Sequence, residues 1–132
     1  MITERKNLKK MMEEKKVSLG FMCNLAEPAC VEIAGLMGFD FIRIDAEHAC
    51  YDLATIQSLV RVADAYGMAT IVRISSPDTI TAMLDFGVAG IMIPHVQNAE
   101  HAKEMVKLVK YAPLGFRGFC SNGRAHNYGL TP

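Results

Sequence analysis

The sequence predicts an α/β fold in which a leading helix is followed by four strand-helix units on a parallel sheet. Three observations carry this. Short apolar runs alternate with amphipathic segments at intervals of roughly 20 to 30 residues, which is the pattern of βαβ units with right-handed crossovers. The amphipathic segments are punctuated by residues that start and stop helices. The run Phe39-Asp40-Phe41-Ile42-Arg43-Ile44-Asp45 then stops at a carboxylate, as a buried parallel strand does where it meets a ligand crevice.

Taken in order, Thr3 to Lys16 reads as a charged helix with a narrow apolar stripe of Leu8, Met11 and Met12. Val17 to Cys23 is a first strand interrupted by a glycine. Pro28 opens a helix through Met37, and Gly38 stands where a left-handed cap belongs. The Phe39–Asp45 strand follows at once. Asp52 caps a helix that carries Leu53, Ile56, Leu59, Val60 and Ala63 on one face and ends near Gly67. Met68 to Ile74 is the third strand, and Ser76-Pro77-Asp78 begins a helix that stops at Gly87. Gly90 to Pro94 is a short fourth strand. Asn98 caps a last helix in which Ala102, Met105, Val106 and Val109 follow helical spacing.

Beyond Tyr111 the regularity ends. Residues 112–132 form a Gly-rich tail that contains Pro113, Gly115, Gly118, Gly123 and Gly129. A loop of about 20 residues with no element after it is unusual in a self-contained domain. The tail therefore reads as an irregular loop leading towards a fifth strand, and residues 1–132 as one partial domain. Four units suit either a small open sheet or half of a (β/α)₈ barrel, which needs about 250 residues; the tail favours the half-barrel.

The 14 basic and 14 acidic side chains balance to zero formal charge, so no nucleic-acid or acidic-membrane partner is indicated. No run approaches the roughly 20 apolar residues that span a bilayer, and the charged start Met1-Ile2-Thr3-Glu4-Arg5-Lys6 is not a secretory leader. A cytoplasmic protein is expected. Cys23, Cys30, Cys50 and Cys120 have no zinc-site spacing and are expected to be reduced thiols, mostly buried.

Asp45, Glu47 and His48 fall within four residues at a strand end, where parallel strands face a ligand. Arg73, near the end of the next strand, can bind a carboxylate bidentately or donate to a developing enolate oxygen. A salt bridge to Asp45 or Glu47 would suit it equally. His48 is the natural acid/base, since its unperturbed pKa lies near neutrality, and Asp45 can orient its ring. His95 ends the fourth strand and can face the same crevice. Glu47, His48 and His95 together offer a possible metal set, without a specific spacing. In the tail, Arg117 and Arg124 lie among glycines, which suits either an anion or an ordinary loop.

The stretch Gly38-Phe39-Asp40-Phe41-Ile42-Arg43-Ile44-Asp45-Ala46-Glu47-His48-Ala49 resembles a motif of the HpcH/HpaI aldolase/citrate lyase family, metal-dependent class II pyruvate aldolases on a TIM barrel. Ile71-Val72-Arg73-Ile74, Ile91 to Glu100 and Tyr111 to Gly118 are similar to later family segments. The resemblance implies the N-terminal half of such a barrel. It implies reversible aldol cleavage of a 4-hydroxy-2-oxoacid to pyruvate and an aldehyde, aided by a divalent ion (Mg, Mn or Co) that holds the enolate. It also implies roles: Arg73 on the keto oxygen, His48 as acid/base, Asp45 orienting His48, and Glu47 in support behind them. The family's metal ligands, a glutamate and an aspartate, belong to the second half of the barrel, so no metal ligand is expected within this chain. Two exposed sheet edges and an apolar inner face favour association, as a homo-oligomer or with a complementing C-terminal half. Little activity is expected from the chain alone. The alternatives are a non-catalytic half-barrel serving as an oligomerising or binding module, and a citrate-lyase-like acyl lyase.

Overall fold

The computed structural model describes residues 6–14 and 17–130. Its elements are α1 (Leu8–Glu13), β1 (Gly20–Cys23), α2 (Pro28–Leu36), β2 (Phe41–Asp45), α3 (Leu53–Ala65) and β3 (Ala69–Arg73). A 3₁₀ turn (Pro77–Thr79) then leads into α4 (Ile80–Asp85), followed by β4 (Gly90–Met92), α5 (Ala99–Val109) and a final 3₁₀ segment (Arg124–Gly129). The four strands lie in sequence order, and each pairs in parallel with the next. This is the predicted α/β arrangement.

The caps explain where the helices begin. Asn7, Asp52 and Asn98 each accept a backbone N–H of the first turn, from Lys10, Thr55 and His101, which satisfies one of the donors a helix start leaves unpaired. Pro28 fills the first turn of α2, and Gly38 adopts φ 84° after it, a conformation a side chain would disfavour. The expected helix over Thr3 to Lys16 is seen as Leu8–Glu13; its outer residues Thr3, Glu4, Arg5, Lys15 and Lys16 lie outside the described residues.

Alternation along the strands sends Ile42, Ile44, Val72 and Ile74 into one core with Val31, Ile56, Leu59, Val60, Ile80, Met83 and Met105 from the helices. The helices thus cover one face of the sheet. The other face carries Gly20 and Met22 of β1, Phe41, Arg43 and Asp45 of β2, Ile71 and Arg73 of β3, and Met92 of β4. The glycine interrupting β1 has a packing reason there: a Cβ on Gly20 would collide with the ring of Phe41 on the neighbouring strand.

Charge pairs tie the tail to the helices. Arg124 Nη1 donates to Asp64 Oδ2 at 2.6 Å and to the Phe86 carbonyl at 3.0 Å, and Arg117 Nη2 donates to Asp85 Oδ1 at 3.0 Å. Tyr111 and His126 meet at 2.9 Å. These anchors hold the 3₁₀ segment against α3 and α4. The four cysteines are free thiols, as expected, but they are not mostly buried: Cys23 lies in the core, Cys30 is half-buried, and Cys50 and Cys120 are exposed on loops. Among the described residues no helix is long and apolar enough to cross a membrane.

Candidate active site at the ends of β2 and β3

The register of β2 and β3 places Asp45 opposite Arg73, each the last residue of its strand. The two side chains lie on the same face and form a bidentate pair: Arg73 Nε donates to Asp45 Oδ1 at 3.0 Å, and Nη2 donates to Oδ2. Asp45 Oδ1 also accepts the backbone N–H groups of Glu47 (3.1 Å) and His48 (3.2 Å). The turn leaving β2 is therefore wrapped around this carboxylate. The Arg73 hydrogen bonds hold the Asp45 carboxyl well below the usual carboxylate range, although burial pushes the other way. The same contact raises the Arg73 pKa and keeps its guanidinium charged.

Glu47 gathers the remaining groups. Its Oε2 lies 3.3 Å from Arg73 Nε and 3.5 Å from His48 Nε2, while Oε1 lies 3.1 Å from His95 Nε2. His48 and Arg73 thus approach a single oxygen from two sides. The Glu47 side chain is only 12% exposed, whereas the two imidazoles are open to solvent. His95 reaches it from the loop after β4 with φ 55°, in the left-handed region that non-glycine residues seldom occupy.

The structure brings together all four predicted groups, Asp45, Glu47, His48 and Arg73, and adds His95. It differs on one contact. Asp45 holds His48 by its backbone N–H, while the ring lies 3.5 Å from Glu47 Oε2. Glu47 is the carboxylate beside the His48 imidazole. Arg117 and Arg124 are not at this site; their guanidinium groups are paired with Asp85 and Asp64, which fits the ordinary-loop alternative. One neighbour the sequence did not single out is Tyr51, whose hydroxyl donates to the Cys23 carbonyl at 3.3 Å. Burial pushes its pKa up to about 12, so it stays a protonated donor near neutral pH. No local pattern announces a contact across 28 residues.

A divalent ion does not fit the residues present. Among the described residues no group of three or more His, Cys, Asp and Glu side chains is arranged to hold a metal. Glu47 between His48 and His95 comes nearest, but the Arg73 guanidinium shares its Oε2 and would oppose a second cation there.

Residues 18–128 match the HpcH/HpaI aldolase/citrate lyase family. The chain belongs to this family. It is 35% identical over 119 residues to the 5-keto-4-deoxy-D-glucarate aldolase of Klebsiella pneumoniae, covering 89% of this chain and 46% of that protein. It is 33% identical over 128 residues to the pyruvate aldolase of Rhizobium etli, covering 96% and 50%. The crystal structure of an HpcH/HpaI aldolase from Desulfitobacterium hafniense superimposes with a TM-score of 0.80 at 38% identity, over 92% of this chain and 47% of that one. This HpcH/HpaI-family chain spans about half the length of the curated relatives it matches, and its four units correspond to half of a (β/α)₈ barrel.

Proposed function

We propose that the chain carries the arginine and the acid/base of a carbon-carbon lyase, one that reversibly cleaves a 4-hydroxy-2-oxoacid to pyruvate and an aldehyde. The observation that supports this most directly is the convergence of His48 and Arg73 on Glu47 Oε2 at the ends of adjacent parallel strands. A proton acceptor and a fixed cation close enough to serve one three-carbon ligand are the groups that enolate chemistry requires.

Arg73 has Nε and Nη2 engaged by Asp45, and its Nη1 has no partner among the described residues, so Nη1 is the donor offered to a ligand oxygen. In cleavage, His48 takes the proton of the 4-hydroxyl group, directly or through a water. The bond between carbons 3 and 4 breaks, its electron pair moves to the keto oxygen as an enolate, and the aldehyde departs. Arg73 donates to that oxygen as its charge develops. Returning a proton to carbon 3 gives the methyl group of pyruvate. Asp45 keeps the guanidinium in place, and Glu47 holds the imidazole side of the site. The divalent ion implied by the family resemblance would need ligands from outside this chain, and no step above is routed through it.

The test is incubation of the chain with a 4-hydroxy-2-oxoacid and manganese, with pyruvate coupled to a dehydrogenase. Little pyruvate is expected from the chain alone, and turnover is expected once a polypeptide bearing the remaining four units is added. Turnover by the chain alone that His48→Ala abolishes would contradict the need for the other half. A half-barrel that only binds would show no His48-dependent turnover in either arm.

A further inference from the structure

His95 follows β4 in a stretch that is neither helix nor strand, yet its ring meets Glu47 across 48 residues of sequence. The register of β3 and β4 sets Met92 beside Arg73, and the Ile74 N–H donates to the Met92 carbonyl at 3.2 Å, so the chain leaving β4 passes the end of β3. His95 then turns through φ 55°. For a non-glycine residue that conformation is costly unless the surroundings hold it, and it recurs at functional sites. Burial does not hold it here, since the His95 side chain is 84% exposed. What the ring contacts is Glu47, with Nε2 3.1 Å from Oε1. A carboxylate oxygen only accepts, so that nitrogen carries the hydrogen.

The charges gathered here leave room for one proton. The groups facing Glu47 are Arg73 from β3, His48 from its own turn and His95 from the loop after β4, with Asp45 behind Arg73. Arg73 and Asp45 cancel, and Glu47 brings one further negative charge that two imidazoles share. Their claims on it differ. Oε2 already lies 3.3 Å from Arg73 Nε, and His48 Nε2 stands 3.5 Å from it. Oε1 serves His95 alone among the described residues, at the shorter distance of 3.1 Å. A proton on His95 therefore gains a charge-assisted hydrogen bond, and a second proton on His48 would find the carboxylate's charge already balanced. We propose that His95 is a positioning residue that carries the proton compensating Glu47 and thereby leaves His48 free as the base. His48 matters as a base only under the lyase reading above, on which this role rests; the competition for Glu47 needs no substrate.

The test is a pH titration of the full chain without substrate, following the ring signals of isotope-labelled histidines by NMR. H95N keeps the backbone, because asparagine tolerates positive φ, and it withdraws the contact, because its amide nitrogen stops at the level of the imidazole Nδ1. In H95N, His48 is expected to bind its proton at least about threefold more tightly than in the wild type, a rise of about half a pH unit in the midpoint of its signal. In an E47Q background the same substitution is expected to move His48 less, since no carboxylate remains to compete for. An unmoved His48 midpoint in H95N, or a shift as large without Glu47 as with it, would overturn the proposal. A residue that merely braced the loop would lower the unfolding midpoint on substitution and leave the His48 titration where it was. Should H95N or E47Q not fold by circular dichroism, H95G, which accepts the same backbone freely, or E47A takes its place. The lyase reading is tested separately by the pyruvate assay, so either can fail alone.

Discussion

Asp45 accepts two hydrogen bonds from a guanidinium and two from the backbone of the turn that follows it, so one carboxylate sets both the position of Arg73 and the path of residues 46–48. Its lowered pKa has a consequence for stability. The unfolded chain protonates this group near the ordinary value of about 3.9, while the folded chain resists protonation. Between those two values the unfolded state binds more protons, so stability rises with pH there. The stabilisation is complete above the unfolded value and is lost as pH falls through the folded one. Urea unfolding from pH 6 down to pH 2 is expected to show this loss in the wild type and a flatter profile in Asp45→Asn, which should also unfold at lower urea at pH 7. Arg73→Lys is expected to lower pyruvate formation by the completed barrel, because an ammonium cannot hold both Asp45 oxygens and a ligand oxygen in one plane. His48→Ala, at an exposed imidazole, is expected to lower that rate by about 10²- to 10⁴-fold without moving the unfolding midpoint.

At the scale of the elements, the sequence states what is local. The apolar run of β2 ends in an acid, Asp52 and Asn98 sit one residue before their helices, and Leu59 and Val60 fall on the face of α3 that is fully buried. Two predictions test these assignments by chemical denaturation. Leu59→Ala should cost about 2 to 5 kcal/mol through lost burial and a cavity, and Asn98→Ala about 1 kcal/mol through the lost cap. The pairing of Asp45 with Arg73 was within reach of the sequence as well, because consecutive strands in such a sheet are neighbours. What was not legible depends on contacts between distant residues. His95 reaches Glu47 only because its backbone turns through positive φ after β4, and Arg124 finds Asp64 across 60 residues. The preference of Asp45 for the guanidinium over the His48 ring has the same origin: spacing shows that both are near, and only the register shows that Arg73 takes both oxygens.

Over the whole molecule, the helices seal one sheet face, and the other is left with exposed methionines beside Arg43. Met22 and Met92 are 55% and 36% exposed, so this surface has the character of a barrel interior that lacks its opposite wall. The tail, by contrast, is fastened down. Arg124→Ala, which removes contacts to Asp64 and the Phe86 carbonyl, is expected to make residues 112–130 more readily cut in limited proteolysis while the sheet stays resistant; an unchanged cleavage pattern would show that those contacts do not anchor the segment. The reaction proposed for the completed barrel rests on His48 and Arg73 serving one bound ligand. The most direct measurement is a pyruvate titration of isotope-labelled protein, completed with the other four units and magnesium, following the His48 ring and Arg73 guanidinium signals by NMR. Both signals are expected to move along a single saturation curve, and Asp45→Asn should shift that curve to higher pyruvate. Movement of one signal without the other, or two curves with separate midpoints, would contradict the account.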